Sequence, residues 1–373
     1  MTELASEFDV VVIGRGFAGL TLATELAQLG VCRILIVYDD KDKTTATDAA
    51  HGISTIKGIL EADSELFARK IIGHQGFEQW LSSLEKITGK RRPDGVWQKR
   101  VEESFESLEK FRKEFGRIYR RDFVGAKNVI TIQSDRDAFV KNIYPADFWI
   151  DPIYLNTLLV TAAQKLGVSM ITGRVVDIKP AAGASVLTLN NGQNICAKNT
   201  AICAGAGTAK LIPSDCQALA PGLFAVDGFT FKSVSNGPDF CEVKGTSGFI
   251  RTNCNLFWGS TSAAAIPLKN GKQKFEQPTS DEGKKSAISL LKKISCNIDF
   301  IENIYAKWGV RVRTRDRSPA AMCLNSERGI WLNTGYYKSG IILSRIFSKM
   351  LAAQIVSRLK SFDPDGFPVA DSD

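Results

Sequence analysis

The stretch "FDVVVIGRGFAGLTLATELAQLG", Phe8 to Gly30, decides the fold. Phe8 to Ile13 is a short apolar run of largely β-branched residues, the pattern of a strand buried on both faces of a parallel sheet. Gly14, Gly16 and Gly19 follow in the spacing GxGxxG. Each answers a physical need, since Gly14 permits the tight turn, Gly16 lets a pyrophosphate approach the backbone, and Gly19 lets the helix pack closely on the strand. The N-terminus of the following helix, Leu20 to Leu29, would face that anion with free N–H groups and a partial positive charge, with Phe17 and Ala18 among the expected cofactor contacts. The same glycines also suit a turn that only packs. The continuation favours a dinucleotide: the helix stops at Gly30, and "RILIVYDD" (Arg33 to Asp40) supplies the second strand of a βαβ unit. An acidic residue near the end of that strand, about 20 residues beyond the glycines, ordinarily holds the ribose hydroxyls. Tyr38 stands at that place and Asp39 follows. Asp39 is the expected ribose ligand, with Tyr38 packing on the adenosine as the alternative.

The 373 residues suggest two lobes, each with its own core. With 44% hydrophobic and 24% charged residues the composition is that of a globular protein. No apolar run reaches the roughly 18 residues of a membrane span, and "MTELASEF" is not a secretory pattern. Eight Cys without CxxC pairs and only two His indicate neither a zinc site nor a disulfide framework. A reducing, cytoplasmic location is the expectation.

The net charge is +8, with basic clusters at Lys90 to Arg92, Arg117 to Asp122 and Arg311 to Arg317. Such a balance suits nucleic acid or anionic small molecules, and equally a solvated surface. Polar–apolar alternation with Pro and Gly punctuation through the middle of the chain predicts an antiparallel sheet there.

Several later segments resemble the D-amino acid oxidase and glycine oxidase superfamily of FAD-dependent amine oxidoreductases. "TATDAAHGI" (Thr45 to Ile53) is similar to that family's second FAD loop, on which Thr47 and Gly52 fit and His51 would lie near the flavin ring or merely bond to backbone. "DPIYLNTLLVTAAQKLGVSMITGRVVDI" (Asp151 to Ile178) resembles the helix and strand that bring a Val backbone to the adenine, a role for Val175 or Val176. "NTAICAGAGTAKLI" (Asn199 to Ile212) is similar to the strand and turn that return to the flavin, with Ala204, Gly205 and Ala206 in the motif. "WGVRVRTRDRSP" (Trp308 to Pro319) and "GIWLNTGYYKSGIILSRIFSKMLAAQI" (Gly329 to Ile355) resemble the closing signature, where an Arg binds the substrate carboxylate and a glycine turn opens a helix aimed at the flavin. That places Gly335, Tyr337, Lys338, Ser339, Gly340 and Ile341 at the site. The chain departs from the pattern in three places: Val312 replaces a usual Pro, Lys338 stands where glycine oxidases tend to have Arg, and Tyr336 replaces a frequent His.

The resemblance implies an α/β fold with a Rossmann-like, GR2-type FAD-binding domain, discontinuous over 1–86, 150–215 and 305–373. A second, substrate domain built on an antiparallel sheet would take 87–149 and 216–304. From the residues alone, the spacing of Ile341, Ile342, Ile346, Phe347, Met350, Leu351 and Ile355 predicts a core helix with Arg345 and Lys349 off the apolar stripe. "TGYYKSG" before it is a polar, aromatic loop of the kind that lines a pocket. The resemblance, rather than the residues alone, makes Arg311 the expected substrate anchor, a role a guanidinium can fill by holding a carboxylate through two parallel hydrogen bonds. Arg313, Arg315 and Arg317 alternate with it and would share one strand face.

The activity implied is oxidation of the C–N bond of an amino acid or N-substituted amine to an imine, by hydride transfer to non-covalently bound FAD. Relatives that attach flavin through Cys place it near the start of the closing motif, where this chain has Arg311. NAD(P)H is not an expected reductant, since only one strand–GxGxxG–helix unit is present. Two alternatives stay open. "RTRDRSP" also looks like the closing motif of the bacterial enzyme that removes a carboxymethyl group from a modified tRNA wobble uridine, and +8 suits RNA. The basic patches would equally dock a carrier protein bearing a tethered substrate.

Overall fold

The computed structural model describes residues 7–42, 45–54, 65–98, 101–107, 130–133, 139–144, 148–234, 240–243, 247–251, 256–260, 265–268, 275–293 and 302–362. Its centre is an eight-stranded mixed sheet with the first strand, Glu7–Ile13, in the middle. On one side Glu7–Ile13 pairs in parallel with Ile34–Tyr38, which pairs in parallel with Ser169–Thr172. On the other side it pairs in parallel with Asn194–Ile202. That strand is shared: Asn194 to Ala197 run antiparallel to Ala184–Leu189, while Thr200 to Ile202 run parallel to Ile330–Thr334. Val175–Ala181 and Ala320–Asn325 complete the sheet through antiparallel pairs. The strand–turn–helix–strand reading of the first forty residues therefore holds.

Val10 and Val12 face one core with Ile34 and Ile36; Val11 and Ile13 face another with Leu35 and Val37. All eight side chains are buried, which is why this run has no polar alternation. The first core is closed by four helices, of which Phe77–Thr88 brings Phe77, Trp80, Leu81 and Leu84 and three others do the rest. Phe17–Gln28 carries Leu20, Ala23 and Leu26, and the closing helix Gly340–Phe362 carries Leu351, Ala352 and Ile355. The third is Pro152–Lys165, capped by Asp151, whose carboxylate accepts the Ile153 N–H at 2.8 Å.

The second core is closed by a strand. Glu302–Thr314 lays Trp308, Val310 and Val312 on the parallel sheet, and by hydrogen bonding it belongs to a six-stranded antiparallel sheet with Leu223–Val234. The antiparallel sheet expected in the middle of the chain is thus present. Glu302–Thr314 straddles the boundary expected at residue 305, and the chain returns to the parallel sheet at Ala320.

The closing helix is buried at Leu343, Ser344 and Ser348 as well as at Ile341, Ile342, Phe347, Leu351 and Ile355 of the expected stripe. Met350 is a correction: assigned to the apolar stripe, it is 41% exposed, because it falls on the helix's solvent face with Lys349, Ala353, Gln354 and Ser357. The span Tyr337–Ser361 is long and apolar enough, by length and composition, to cross a membrane, and more than half of it is buried inside the protein. This corrects the expectation that no stretch has that length: Arg345 and Lys349 interrupt the run without lowering its average enough.

Candidate active site

The glycine turn is closed by sterics. Gly14 has φ +111°, and a Cβ there would lie 2.5 Å from the Cys203 carbonyl oxygen. A Cβ on Gly19 would lie 2.0 Å from the Gly14 oxygen, so helix and strand touch as anticipated. Gly16 has a different neighbour. The Thr47 hydroxyl sits 3.0 Å from where its Cβ would be and accepts the Phe17 N–H at 3.0 Å. The loop Thr45 to Ser54 is therefore tied directly to the helix start. That helix has no side-chain N-cap and no acidic residue in its first turn, leaving an end suited to an anion.

The same loop is held from three other sides. Thr45 bridges Val310, Thr230 donates its hydroxyl to the Ala49 carbonyl at 2.5 Å, and Gly52 accepts from Ile150 N–H at 3.0 Å. Gly52 lies against Ile150 so tightly that a Cβ would come within 2.1 Å of its oxygen. His51 engages through its backbone, its carbonyl accepting the Trp149 indole N–H at 3.0 Å. The imidazole itself is half-buried.

Around the end of the second strand, Tyr38 packs against the helical core and carries the Arg15 guanidinium over its ring, 4.0 Å from the centroid. Asp39 turns locally, one carboxylate oxygen accepting the Lys41 N–H at 3.0 Å. The Tyr38 carbonyl accepts Gly173 N–H at 2.8 Å, which brings the turn before Val175 beside it. Val175 is 5% exposed and Val176 50%, with a register shift between Val175 and Asp177. Ala204 and Gly205 open a short 3-10 turn directly behind Gly14.

Arg311 and Arg313 lie on one face of Glu302–Thr314, the face on which Gly309 meets Thr45 and Ala49. The structure separates the two arginines. Arg313 stacks 4.8 Å from the Phe224 ring and donates to the Thr314 and Arg315 carbonyls. Arg311, partly buried, points its guanidinium at the Tyr337 ring, 5.5 Å away. Burial pulls its pKa below the ordinary arginine value, against the opposing influence of Tyr337 and Asp227. Arg315 and Arg317 do not share this face, correcting the four-arginine strand: the strand ends at Thr314, and Arg317 adopts φ +64° in an exposed turn held by Asp316 and Ser318. The basic run is therefore half internal. In the Lys90 cluster, Lys90 donates to Thr161 and Arg92 is paired with Glu85 at 2.7 Å. The Arg117 cluster lies outside the described residues.

The closing loop supplies the opposite wall. Gly335 turns at φ +82°, Tyr336 bridges Arg313, and Tyr337 is held at φ +50° between the Arg311 and Lys338 cations. A bulky residue in the left-handed region is uncommon and costs on the order of 1–3 kcal/mol. Ser339 N–H closes the turn on the Tyr336 carbonyl at 3.0 Å, and Gly340 and Ile341 begin the helix, which has no acidic residue in its first turn. Tyr336, read as lining the pocket together with Tyr337, is instead buried, and its hydroxyl donates to the Asn333 side chain.

Asn333 and Ser348 are site-supporting residues that the sequence reading missed. Asn333 donates to the Ala18 carbonyl at 3.2 Å and to the Ser348 hydroxyl at 3.1 Å, fastening the first helix to the last. Neither has a local signal, since their partner is over 300 residues away. Beside them burial pushes the Cys203 thiol up to about 12, which keeps it protonated and unreactive at neutral pH.

Residues 9–354 match the family described as DAO, FAD dependent oxidoreductase. The chain belongs to the DAO family. No curated protein matches the sequence. Among solved structures, iminodiacetate oxidase from Chelativorans sp. BNC1 is similar at 18% identity and TM-score 0.76, covering 93% of this chain and 95% of that one. Glycine oxidase from Geobacillus kaustophilus is similar at 20% identity and TM-score 0.75, over 98% and 97% of the two chains. L-proline dehydrogenase from P. horikoshii follows at 16% identity and TM-score 0.70, over 95% and 94%. At these identities the likeness shows the DAO fold. The fold implies FAD, and the residues fit it: the turn at Gly14 and Gly19 admits no Cβ, and an uncharged helix start stands behind it.

Proposed function

We propose that this DAO-family oxidoreductase oxidises the C–N bond of an amino acid or N-substituted amine that carries a carboxylate, using FAD held without a covalent bond. The observation that carries this reading is Arg311: a partly buried guanidinium set between the Thr45–Ser54 loop and the closing loop, with Tyr337 against it. The cofactor would be held by Gly14, Gly16, Phe17, Ala18 and Gly19 at the pyrophosphate, by Tyr38, Asp39 and Val175 or Val176 at the adenosine, and by Thr47, His51, Gly52, Ala204, Gly205, Ser339, Gly340 and Ile341 toward the flavin. When bound it supplies a two-electron acceptor for the C–N bond.

Everything else falls to the chain. Arg311 would take the substrate carboxylate in a bidentate grip, and with it fix the amine carbon in one orientation. Tyr337 shields the guanidinium from water on one side, which strengthens that grip. The first turn of Gly340–Phe362 offers backbone donors and the positive end of a helix dipole, free of acidic side chains, where negative charge develops. Cys323 supports non-covalent attachment, since it sits on a different strand from Arg311 and turns its thiol to the Ile330 carbonyl.

Anaerobic bleaching of the bound flavin tests the reading. N-substituted glycines and cyclic amino acids should bleach it, and the same amines without their carboxylate should not. Equal bleaching by the decarboxylated amines, or rapid bleaching by NADPH alone, would sink it.

A further inference from the structure

In a dinucleotide-binding βαβ unit the end of the second strand bears a carboxylate that binds the ribose hydroxyls, and an arginine nearby serves when that half of the ligand carries extra phosphate. Here the position holds Tyr38, which packs against the helical core. Over its ring lies Arg15, the residue between the first two glycines, exposed and only 4.0 Å from the ring centroid. Asp39, the next available carboxylate, has one oxygen engaged by the Lys41 N–H. Gly14 and Gly16 flank Arg15 with no side chains of their own, and the helix start behind them has no acidic residue to neutralise it. A guanidinium fixed at that mouth carries several donors in a planar fork, matched to phosphate and ribose oxygens.

We propose that Arg15, stacked on Tyr38, binds the ribose–phosphate half of the FAD cofactor in place of the strand-end carboxylate. This rests on the FAD reading above. It makes cofactor affinity depend on a cation at a position where the fold normally places an anion.

The test titrates FAD, FMN and ADP into flavin-free protein and follows fluorescence or displacement. Arg15→Leu should weaken FAD and ADP binding together by about 10- to 100-fold, the loss of a charge-assisted contact. FMN, which lacks the adenylate half, should bind as before. Arg15→Lys should recover part, because it keeps the charge and loses the fork. Tyr38→Leu should weaken FAD about threefold to tenfold by removing the stack. Arg15 is exposed, so an unchanged melting temperature of the flavin-free variant will show that the fold is intact. Unaltered FAD and ADP affinity in Arg15→Leu, with a large loss in Asp39→Asn, overturns the proposal and returns the role to the carboxylate. If the unaltered protein binds no FAD at all, the cofactor reading falls and this one with it.

Discussion

The two ends of the parallel sheet solve opposite problems with the same kinds of residue. At the amino ends, the Asp9 carboxylate takes Arg33 at 2.8 Å and Lys198 at 3.4 Å. Buried Asn199 there donates to the Asp9 carbonyl and accepts from Trp331 and Arg358. Arg358 also donates to the carbonyls of Gly183, Lys198, Ser326 and Glu327. At the carboxyl ends, strands run out into Gly14, Asp39, Cys203 and Gly335, and the cations lie against aromatic rings: Arg15 on Tyr38, Arg311 on Tyr337. A cation whose donors are consumed by backbone carbonyls is structural. A ring, by contrast, engages the flat face of a guanidinium and leaves its in-plane N–H groups to other partners. In open α/β sheets ligands bind in the crevice outside the carboxyl ends of the strands, the end at which these two cations lie.

The largest effect that would break this contrast concerns Arg311. Arg311→Leu should lower the rate of flavin reduction at low concentration of a carboxylate-bearing amine by roughly 30-fold to several thousand-fold, or about 2–5 kcal/mol. Arg313→Leu should change that rate little, since Arg313 is occupied by Phe224 and two carbonyls. Stopped-flow reduction of both variants decides between them: a crippled Arg313→Leu beside a normal Arg311→Leu would reverse the assignment.

Acid should act on the two ends at different pH. His74 lies against Phe148, next to the Trp149 that holds the His51 carbonyl, and burial lowers its pKa from 6.5 to about 4. A histidine kept neutral by folding contributes its full stability above the unfolded value of 6.5 and loses it as pH falls from 6.5 toward 4, because only the unfolded chain takes up the proton. The loss should reach about 2 kcal/mol between about pH 7.5 and about pH 5. For Asp9, burial opposes the carboxylate but the Arg33 and Lys198 contacts outweigh it and lower its pKa. Its contribution is therefore present above 3.8 and lost only as pH falls through the lowered folded value. Denaturant midpoints against pH should show the first loss vanish in His74→Phe. A midpoint flat from about pH 7 to about pH 5 in the unaltered protein would contradict the burial argument.

How much of this was legible in the sequence follows from which contacts are local. Gly14 and Gly19 were readable because their constraint is steric and lies within one turn. The two cores behind Phe8–Ile13 were readable because burial on both faces leaves no polar alternation. Arg15 was not, since the residue between two glycines carries no periodic signal until the ring beneath it is known. Arg315 and Arg317 were misplaced because alternation continued past the strand into a turn fixed by Asp316 and Ser318. Asn333, Ser348 and Tyr336 look like loop and helix polar residues in sequence, and only the meeting of the first and last helices makes them a buried network.

The smallest predicted effect isolates the amino end. Arg358 is half-buried, so water can reach part of the space it leaves, and Arg358→Met keeps most of its packing. What is lost is a set of donors to four carbonyls and to Asn199. Partial solvent replacement brings the expected cost to about 1.5 kcal/mol, well under that of stranding a fully buried charge pair. The denaturant midpoint should fall with its slope unchanged, since unfolding exposes nearly the same surface in both proteins. FAD affinity and the rate of flavin reduction should stay within about twofold, because distant sites without shared partners act independently. Asn199 is one route by which the two ends could couple, as it lies on the same strand that runs up to Cys203 behind Gly14, and the helix that carries Arg358 is another. If Arg358→Met weakens FAD binding as much as Arg15→Leu does, that strand transmits the loss and the division between a structural end and a ligand end is wrong.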